Sequence, residues 1–264
     1  MLTAKTLSYL CCLLACTIIM YISIQIFKNN KMRLLLISNS TNAGEEYLEY
    51  PKNNIKEFLG DVKKVLFVPY AAVTFSFDEY QAKVQNRLSE FGIEVDSVHH
   101  YPDPVKAVQN AQAIIVGGGN TFRLLKMIQQ FGLIKAIREA VNSGTPYIGW
   151  SAGSNIAAPT ICTTNDMPIT QPESFNALNL VNFQINPHYL DAHPDGHAGE
   201  TREERIEEFI EMDPFVYVAG LREGCMLKFE KGGIELIGPR PLRVFKKGME
   251  PKEFSNTDDI SFLL

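Results

Sequence analysis

Three short runs without a polar side chain set the terms for this chain: Leu-Leu-Leu-Ile at 34–37, Val-Leu-Phe-Val at 65–68 and Ala-Ile-Ile-Val at 113–116. Each is too short for a buried helix and shows no alternation, the mark of strands covered on both faces. A briefer run at 93–95 and Tyr147-Ile148 continue the series. Between them stand helical spacings: 77–91 with Tyr80, Val84 and Leu88 before Gly92, then 104–110, 122–130 and 133–141, the last two parted by Gly132. Strands alternating with helices predict an α/β fold with a mostly parallel twisted sheet between two helical layers. Sites in such sheets form beyond the carboxyl ends of the strands. Residues 38–41, 117–120 and Ser151 all occupy such ends.

Ser151 sits in Gly149-Trp150-Ser151-Ala152-Gly153, between the short strand at 147–148 and a segment, 154–158, able to start a helix. G-x-S-x-G in that context is a nucleophile elbow. The chemistry requires glycine on both sides, because a serine at a sharp strand-to-helix turn leaves no room for neighbouring side chains. The helix start supplies free N–H groups that favour developing negative charge. The plainer alternative is an ordinary serine in a glycine turn.

Beyond the elbow the pattern loosens. Thr163-Thr164-Asn165-Asp166-Met167-Pro168 reads as a polar loop, and 180–185 as a strand leading into Asn186-Pro187-His188. Residues 191–201 form a loop rich in His, Asp and Gly, after which Thr201 caps a helix running to about Met212, with Glu204 at the capping-box position. Strands are predicted at 215–219, 226–229, 234–237 and 242–245, the last three short and antiparallel, and the tail past Glu250 is expected to be loosely held.

The N-terminus stands apart. Residues 7–27 contain no charged side chain, enough length to span a bilayer as a helix, and Lys28, Lys31 and Arg33 follow them. The expectation is a membrane anchor over 1–31 with the domain, 32–264, on the cytoplasmic side. The alternative is that Met32 begins the folded protein and the preceding residues have no role in the fold. A net charge of −5, with no basic cluster, gives no footprint for nucleic acid. Of the five cysteines only Cys162 and Cys225 lie in the body, which excludes a disulfide framework and zinc-type spacing and suits a reducing compartment.

A serine nucleophile needs a base, a group to orient it and an oxyanion hole. Of the five histidines, His188 is the best base, because the Asn-Pro step fixes it at a strand end. His99 and His100 read as surface loop. His193 and His197, with Asp191 and Asp195, read as a solvated turn rather than a metal site, so no metal or other cofactor is expected. Asp166 and Glu223 are both candidates for the orienting carboxylate; chain order, with Asp166 between serine and histidine as in α/β-hydrolases, favours Asp166. The 117–119 glycine run is the candidate oxyanion loop, and Asn120 beside it a candidate substrate-binding residue. The run lacks the full G-x-G-x-x-G spacing, which weakens a nucleotide-binding reading.

From Met32 onward the chain resembles the peptidase E family, the α-aspartyl dipeptidases. The resemblance rests on Leu-Leu-Leu-Ile-Ser-Asn-Ser-Thr at 34–41, Ile-Ile-Val-Gly-Gly-Gly-Asn-Thr-Phe at 114–122, Tyr-Ile-Gly-Trp-Ser-Ala-Gly at 147–153, Thr-Thr-Asn-Asp-Met-Pro-Ile at 163–169, Gln-Ile-Asn-Pro-His at 184–188 and Gly-Glu-Thr-Arg-Glu-Glu-Arg at 199–205. It implies a class I glutamine amidotransferase-like fold, a flavodoxin-like three-layer sandwich, with serine where those enzymes use cysteine. It also implies cleavage of dipeptides that begin with aspartate, Ser151 as nucleophile, His188 as base, either Asp166 or Glu223 as third member, and an oxyanion hole at the Gly119 and Ala152 amides. A buried aspartyl side chain needs a cation, and Arg202 is the candidate through its bidentate fork. The rival expectations are a cyanophycinase-like hydrolase on the same fold and a noncatalytic, membrane-tethered ligand-binding domain. The apolar N-terminal run departs from the usual cytoplasmic family member.

Overall fold

A computed structural model describes residues 31–191 and 199–264. The expected anchor at 7–27, and His193, Asp195 and His197, lie outside the described residues. Among the described residues no helix is long and apolar enough to cross a membrane.

The chain runs β1 (Leu34–Ile37), α1 (Lys52–Leu59), β2 (Lys64–Val68), α2 (Phe77–Ser89), β3 (Glu94–Ser97), a 3-10 turn at Val98–His100, α3 (Pro104–Gln109) and β4 (Ile114–Val116). It continues through α4 (Thr121–Gln130), α5 (Leu133–Asn142), β5 (Tyr147–Trp150), α6 (Ala152–Asn155), β6 (Gln184–Tyr189) and α7 (Arg202–Met212). Last come β7 (Val218–Arg222), β8 (Met226–Glu230), β9 (Gly233–Ile237), β10 (Leu242–Lys246) and β11 (Met249–Phe254).

The main sheet has the order β3-β2-β4-β5-β1-β8-β9. Its first five strands are parallel, and the β8–β9 hairpin closes it antiparallel on β1. All four residues of β1 are buried, and successive side chains enter opposite faces. Leu34 and Leu36 join one core with Leu124, Leu125 and Ile128 of α4 and Ile137 and Val141 of α5. Leu35 and Ile37 join the other with Ile55 and Phe58 of α1 and Val84 and Leu88 of α2. Each fully buried side chain of this size stabilises the fold by about 1.5–3 kcal/mol, which is why such runs settle between two helical layers.

A second sheet, ordered β11-β10-β7-β6, pairs β6 and β7 in parallel and the rest antiparallel. One face packs into the first core through Ile185, Leu221 and Val244. The other is covered by Ile206 and Ile210 of α7, which meet Tyr189, Val218 and Phe245.

Several boundaries differ from the sequence expectation. The strands predicted at 180–185 and 215–219 begin later, at Gln184 and Val218. Leu180, Val181 and Phe183 are buried without pairing in a sheet, since burial alone does not require a strand partner. The C-terminal strands divide between the two sheets, and the tail expected to be loose forms β11, held by its ladder to β10. Helix α1 was not among the predicted elements.

Candidate active site

The elbow is built by contacts that only glycine permits. A Cβ on Gly149 would stand 2.3 Å from the Gly153 carbonyl oxygen, and one on Gly153 2.2 Å from that of Val116. Between them Ser151 adopts φ 53°, a region costly for a residue with a side chain, by roughly 1–3 kcal/mol. The surroundings enforce it. The Ser151 N–H donates to Ile37 O at 3.0 Å. The Ser154 hydroxyl reaches Ile37 O at 2.7 Å and Gly149 O at 2.8 Å. The amides of Ser154 and Asn155 both donate to Ser151 O at 2.9 Å, starting α6.

His188 is also left-handed, at φ 55°. The ladder between β6 and β7 shifts register between Pro187 and Tyr189, so His188 is an unpaired bulge residue turned out of the strand. Its amide donates to the Ser38 hydroxyl at 2.9 Å, which in turn donates to Leu221 O at 2.7 Å. Ser38 thus ties β1, β6 and β7 together beneath the histidine. Asn155 adds a second tie, donating to Ile185 O at 2.8 Å.

His188 Nε2 lies 2.9 Å from Ser151 Oγ, and His188 Nδ1 lies 2.7 Å from Glu223 Oε1. With a carboxylate at Nδ1, the imidazole proton belongs there, which leaves Nε2 as acceptor of the serine proton. Glu223 follows β7 directly, and the turn is held by the Gly224 amide donating to Asn39 Oδ1 at 2.9 Å, with Gly224 at φ 81°. Tyr50 donates to the same Asn39 oxygen at 2.8 Å.

This geometry does not join Asp166, preferred from chain order, to His188. Its Oδ2 accepts from the Thr121 amide at 2.7 Å and the Thr121 hydroxyl at 2.6 Å, at the first turn of α4, with Thr164 at 3.2 Å. It makes no hydrogen bond to His188. Asn120, expected to bind substrate, is the N-cap of α4: its Oδ1 accepts from the Arg123 amide at 3.0 Å and its Nδ2 donates to Met167 O at 2.8 Å. Its side chain is thereby engaged in holding the loop.

The glycine loop after β4 abuts the nucleophile: a Cβ on Gly118 would lie 3.0 Å from Ser151 Cβ. Gly119 has φ 134°, and a Cβ there would meet Ala71 O at 2.3 Å. The Gly118 carbonyl is turned away to accept from Tyr80 OH at 2.9 Å, itself fixed by Trp150 Nε1 at 3.1 Å. Among the described residues the Gly119 and Ala152 amides have no acceptor. Residues 38–41 were placed at a strand end and Tyr80 on a helix, but Ser38, Asn39 and Tyr80 were given no individual site role in the sequence. Their one signal was position, at a strand end or on the inward face of a helix.

Arg202 opens α7, half-buried, just after the Thr201 capping box. Among the described residues its guanidinium has neither hydrogen bond nor ion pair; the helix's other early arginine, Arg205, reaches Glu200 at 3.5 Å. Burial first, then repulsion from Arg205, pull the Arg202 pKa below its ordinary value, against the opposing pull of Asp166.

A family model described as Peptidase family S51 matches residues 34–237. Peptidase E of Nostoc sp. is 52% identical over 233 residues, covering 88% of this chain and 96% of that protein. Peptidase E of Escherichia coli (strain 536) is 48% identical over 219 residues, covering 83% and 96%. Among solved structures, a peptidase from an acI-B1 actinobacterium superposes with a TM-score of 0.66 at 18% identity, covering 88% of this chain and 98% of the other. A putative peptidase E from Listeria monocytogenes EGD-e gives 0.60 at 23% identity, covering 79% and 98%. At these identities the two structures speak to the fold alone.

Proposed function

The chain belongs to peptidase family S51 and is a serine-type dipeptidase, and from that premise we propose that it hydrolyses Asp-Xaa dipeptides with Ser151, His188 and Glu223 as its catalytic set. The observation that carries this reading is the unbroken hydrogen-bonded chain from Ser151 Oγ through His188 to Glu223 Oε1, with steps of 2.9 and 2.7 Å. Ser151 Oγ attacks the peptide carbonyl carbon as His188 Nε2 takes its proton. The oxyanion rests on the amides of Gly119 and Ala152, which have no acceptor among the described residues. His188 then gives the proton to the leaving amine, the C–N bond breaks, and the aspartyl ester of Ser151 remains. Water, deprotonated by His188, attacks that ester; the bond from the acyl carbon to Ser151 Oγ breaks, His188 returns the proton to Oγ, and aspartate is released. Glu223 holds the imidazole in the required tautomer and stabilises the imidazolium at each transfer.

Arg202 receives the substrate's side-chain carboxylate, which supplies the partner it lacks among the described residues. This is the basis for preferring aspartate to asparagine, which differs in charge and hardly in size. The test is hydrolysis of an Asp-Leu and Asn-Leu pair by the wild type and by Ser151→Ala. The expected result is rapid release of leucine from Asp-Leu by the wild type and none above background by the variant. Near-normal turnover by a folded Ser151→Ala protein would overturn the reading.

A further inference from the structure

The two adjacent histidines at the end of β3, read in sequence as surface loop, converge with a carboxylate from another element. His99 Nε2 lies 2.9 Å and His100 Nε2 2.7 Å from Asp78 Oδ1. Asp78 stands in the first turn of α2, so the cluster joins the 3-10 turn after β3 to the start of a helix. The ligand-capable atoms of the three residues all lie within 4.8 Å of one another, and among the described residues this is the single such group. It sits on edge strand β3, three strands from β5 and its nucleophile.

We propose that Asp78, His99 and His100 form a binding site for a divalent transition-metal ion of the zinc type, separate from the catalytic chain. The donor set decides the ion class. Two imidazoles and one carboxylate suit zinc and its neighbours, whereas calcium and magnesium take oxygen ligands. The two contacts to Asp78 need little change. Tetrahedral ligands about 2.0–2.1 Å from zinc stand roughly 3.3 Å apart. The Asp78 oxygen therefore retreats by about half an ångström from each ring to admit the ion. Its side chain is largely exposed, which leaves it free to do so.

The inner histidine is oriented as a metal ligand requires. His99 Nδ1 lies 2.6 Å from the hydroxyl of Ser97, which is fully buried and donates to Phe67 O at 3.4 Å. A serine hydroxyl used that way accepts from Nδ1–H, and in that tautomer Nε2 is free to ligate an ion once the Asp78 oxygen has drawn back. An outer hydrogen bond that fixes tautomer and ring direction is the usual companion of a ligating histidine. Phe77 packs against the His99 ring at 5.4 Å between centroids, and the two histidine rings lie 4.0 Å apart, which further limits their rotation. Three protein ligands leave a fourth position for water. The ion's effect is to brace α2 against β3. Through Tyr80 on the same helix, that brace supports the Gly118 carbonyl.

The experiment uses full-length, untagged, metal-free protein titrated with zinc chloride by calorimetry, with thermal melts in parallel. The wild type is expected to bind zinc and to melt higher with it. Asp78→Asn and His100→Ala, both at exposed positions, are expected to weaken binding by roughly tenfold or more and to lose the thermal shift. His193→Ala, in the other histidine-bearing segment, is expected to bind as the wild type does. Asp-Leu hydrolysis by metal-free Asp78→Asn is expected to match that of the metal-free wild type. A wild type that binds no zinc would overturn the proposal. So would Asp78→Asn and His100→Ala proteins that bind it with wild-type affinity and stoichiometry.

Discussion

Glu223 Oε1 meets His188 Nδ1 at 2.7 Å although the two residues lie 35 positions apart. What joins them is the parallel pairing of β6 and β7, in which Tyr189 opposes Arg222 and the bulge at His188 opposes nothing. The histidine leaves its strand where the glutamate leaves the neighbouring one. Removing the charge of Glu223 is therefore expected to act on the imidazole directly.

Glu223→Gln is expected to lower kcat for Asp-Leu by orders of magnitude, on the order of 10⁴ in the best-studied triad, because an amide does not enforce the same tautomer. Asp166→Asn is expected to change kcat by about tenfold or less, since its carboxylate serves Thr121 and the start of α4. Steady-state kinetics of both variants give the ranking. The reverse order would remove Glu223 from the catalytic set.

Arg202→Met is expected to erase most of the preference for Asp-Leu over Asn-Leu, chiefly by slowing Asp-Leu. A desolvated charge pair broken on one side costs about 2–5 kcal/mol, so the wild-type preference should be on the order of 10² or more in kcat/KM. Paired kinetics on wild type and variant check this. An unchanged ratio would show that another cation reads the carboxylate.

Ser38→Ala removes the hydroxyl that accepts from the His188 amide and donates to Leu221 O. Two groups at the base of the site lose their partner, and a buried unsatisfied group costs about 1–3 kcal/mol. The expected outcome is a lower denaturant midpoint together with a reduced kcat and little change in KM. Lost stability with unaltered kcat would mean that the bulge holds the histidine without Ser38.

Arg222, buried, pairs with Asp191 and, at 2.8 Å, with Glu253. The hydrogen bonds from Arg222 are the first cause holding both carboxyls below their ordinary pKa. Groups whose pKa is depressed by folding contribute stability that is present above their unfolded values, near pH 4, and lost as pH falls through the folded ones. The stability gap between wild type and Arg222→Met should accordingly be wide at pH 7 and narrow below pH 4. Urea midpoints at the two pH values measure it. A gap that does not shrink in acid would assign the role of Arg222 to packing.

What the sequence by itself determined is local. The elbow was legible because its glycines, serine and flanking strand lie within nine residues, and each demand there is steric. The buried strands of the parallel sheet were legible because continuous apolar runs have few other uses in a chain this size. The capping box at Thr201 and Glu204 follows from one helical turn and is present as read. The tertiary structure alone decided the pairings between remote segments. Asp166 and Glu223 were equal as residue types. The β6–β7 register and the bulge at His188 bring one carboxylate to the imidazole and leave the other bonded to Thr121 at the start of α4. Likewise nothing near His99 and His100 in the chain announces Asp78, which reaches them only because α2 starts beside the end of β3. The last strand was unreadable for a related reason: β11 is a solvent-facing edge without an apolar pattern, and it exists because β10 offers it a ladder. Side-chain chemistry and near-neighbour sterics are written along the chain, whereas register is a property of two segments packed together.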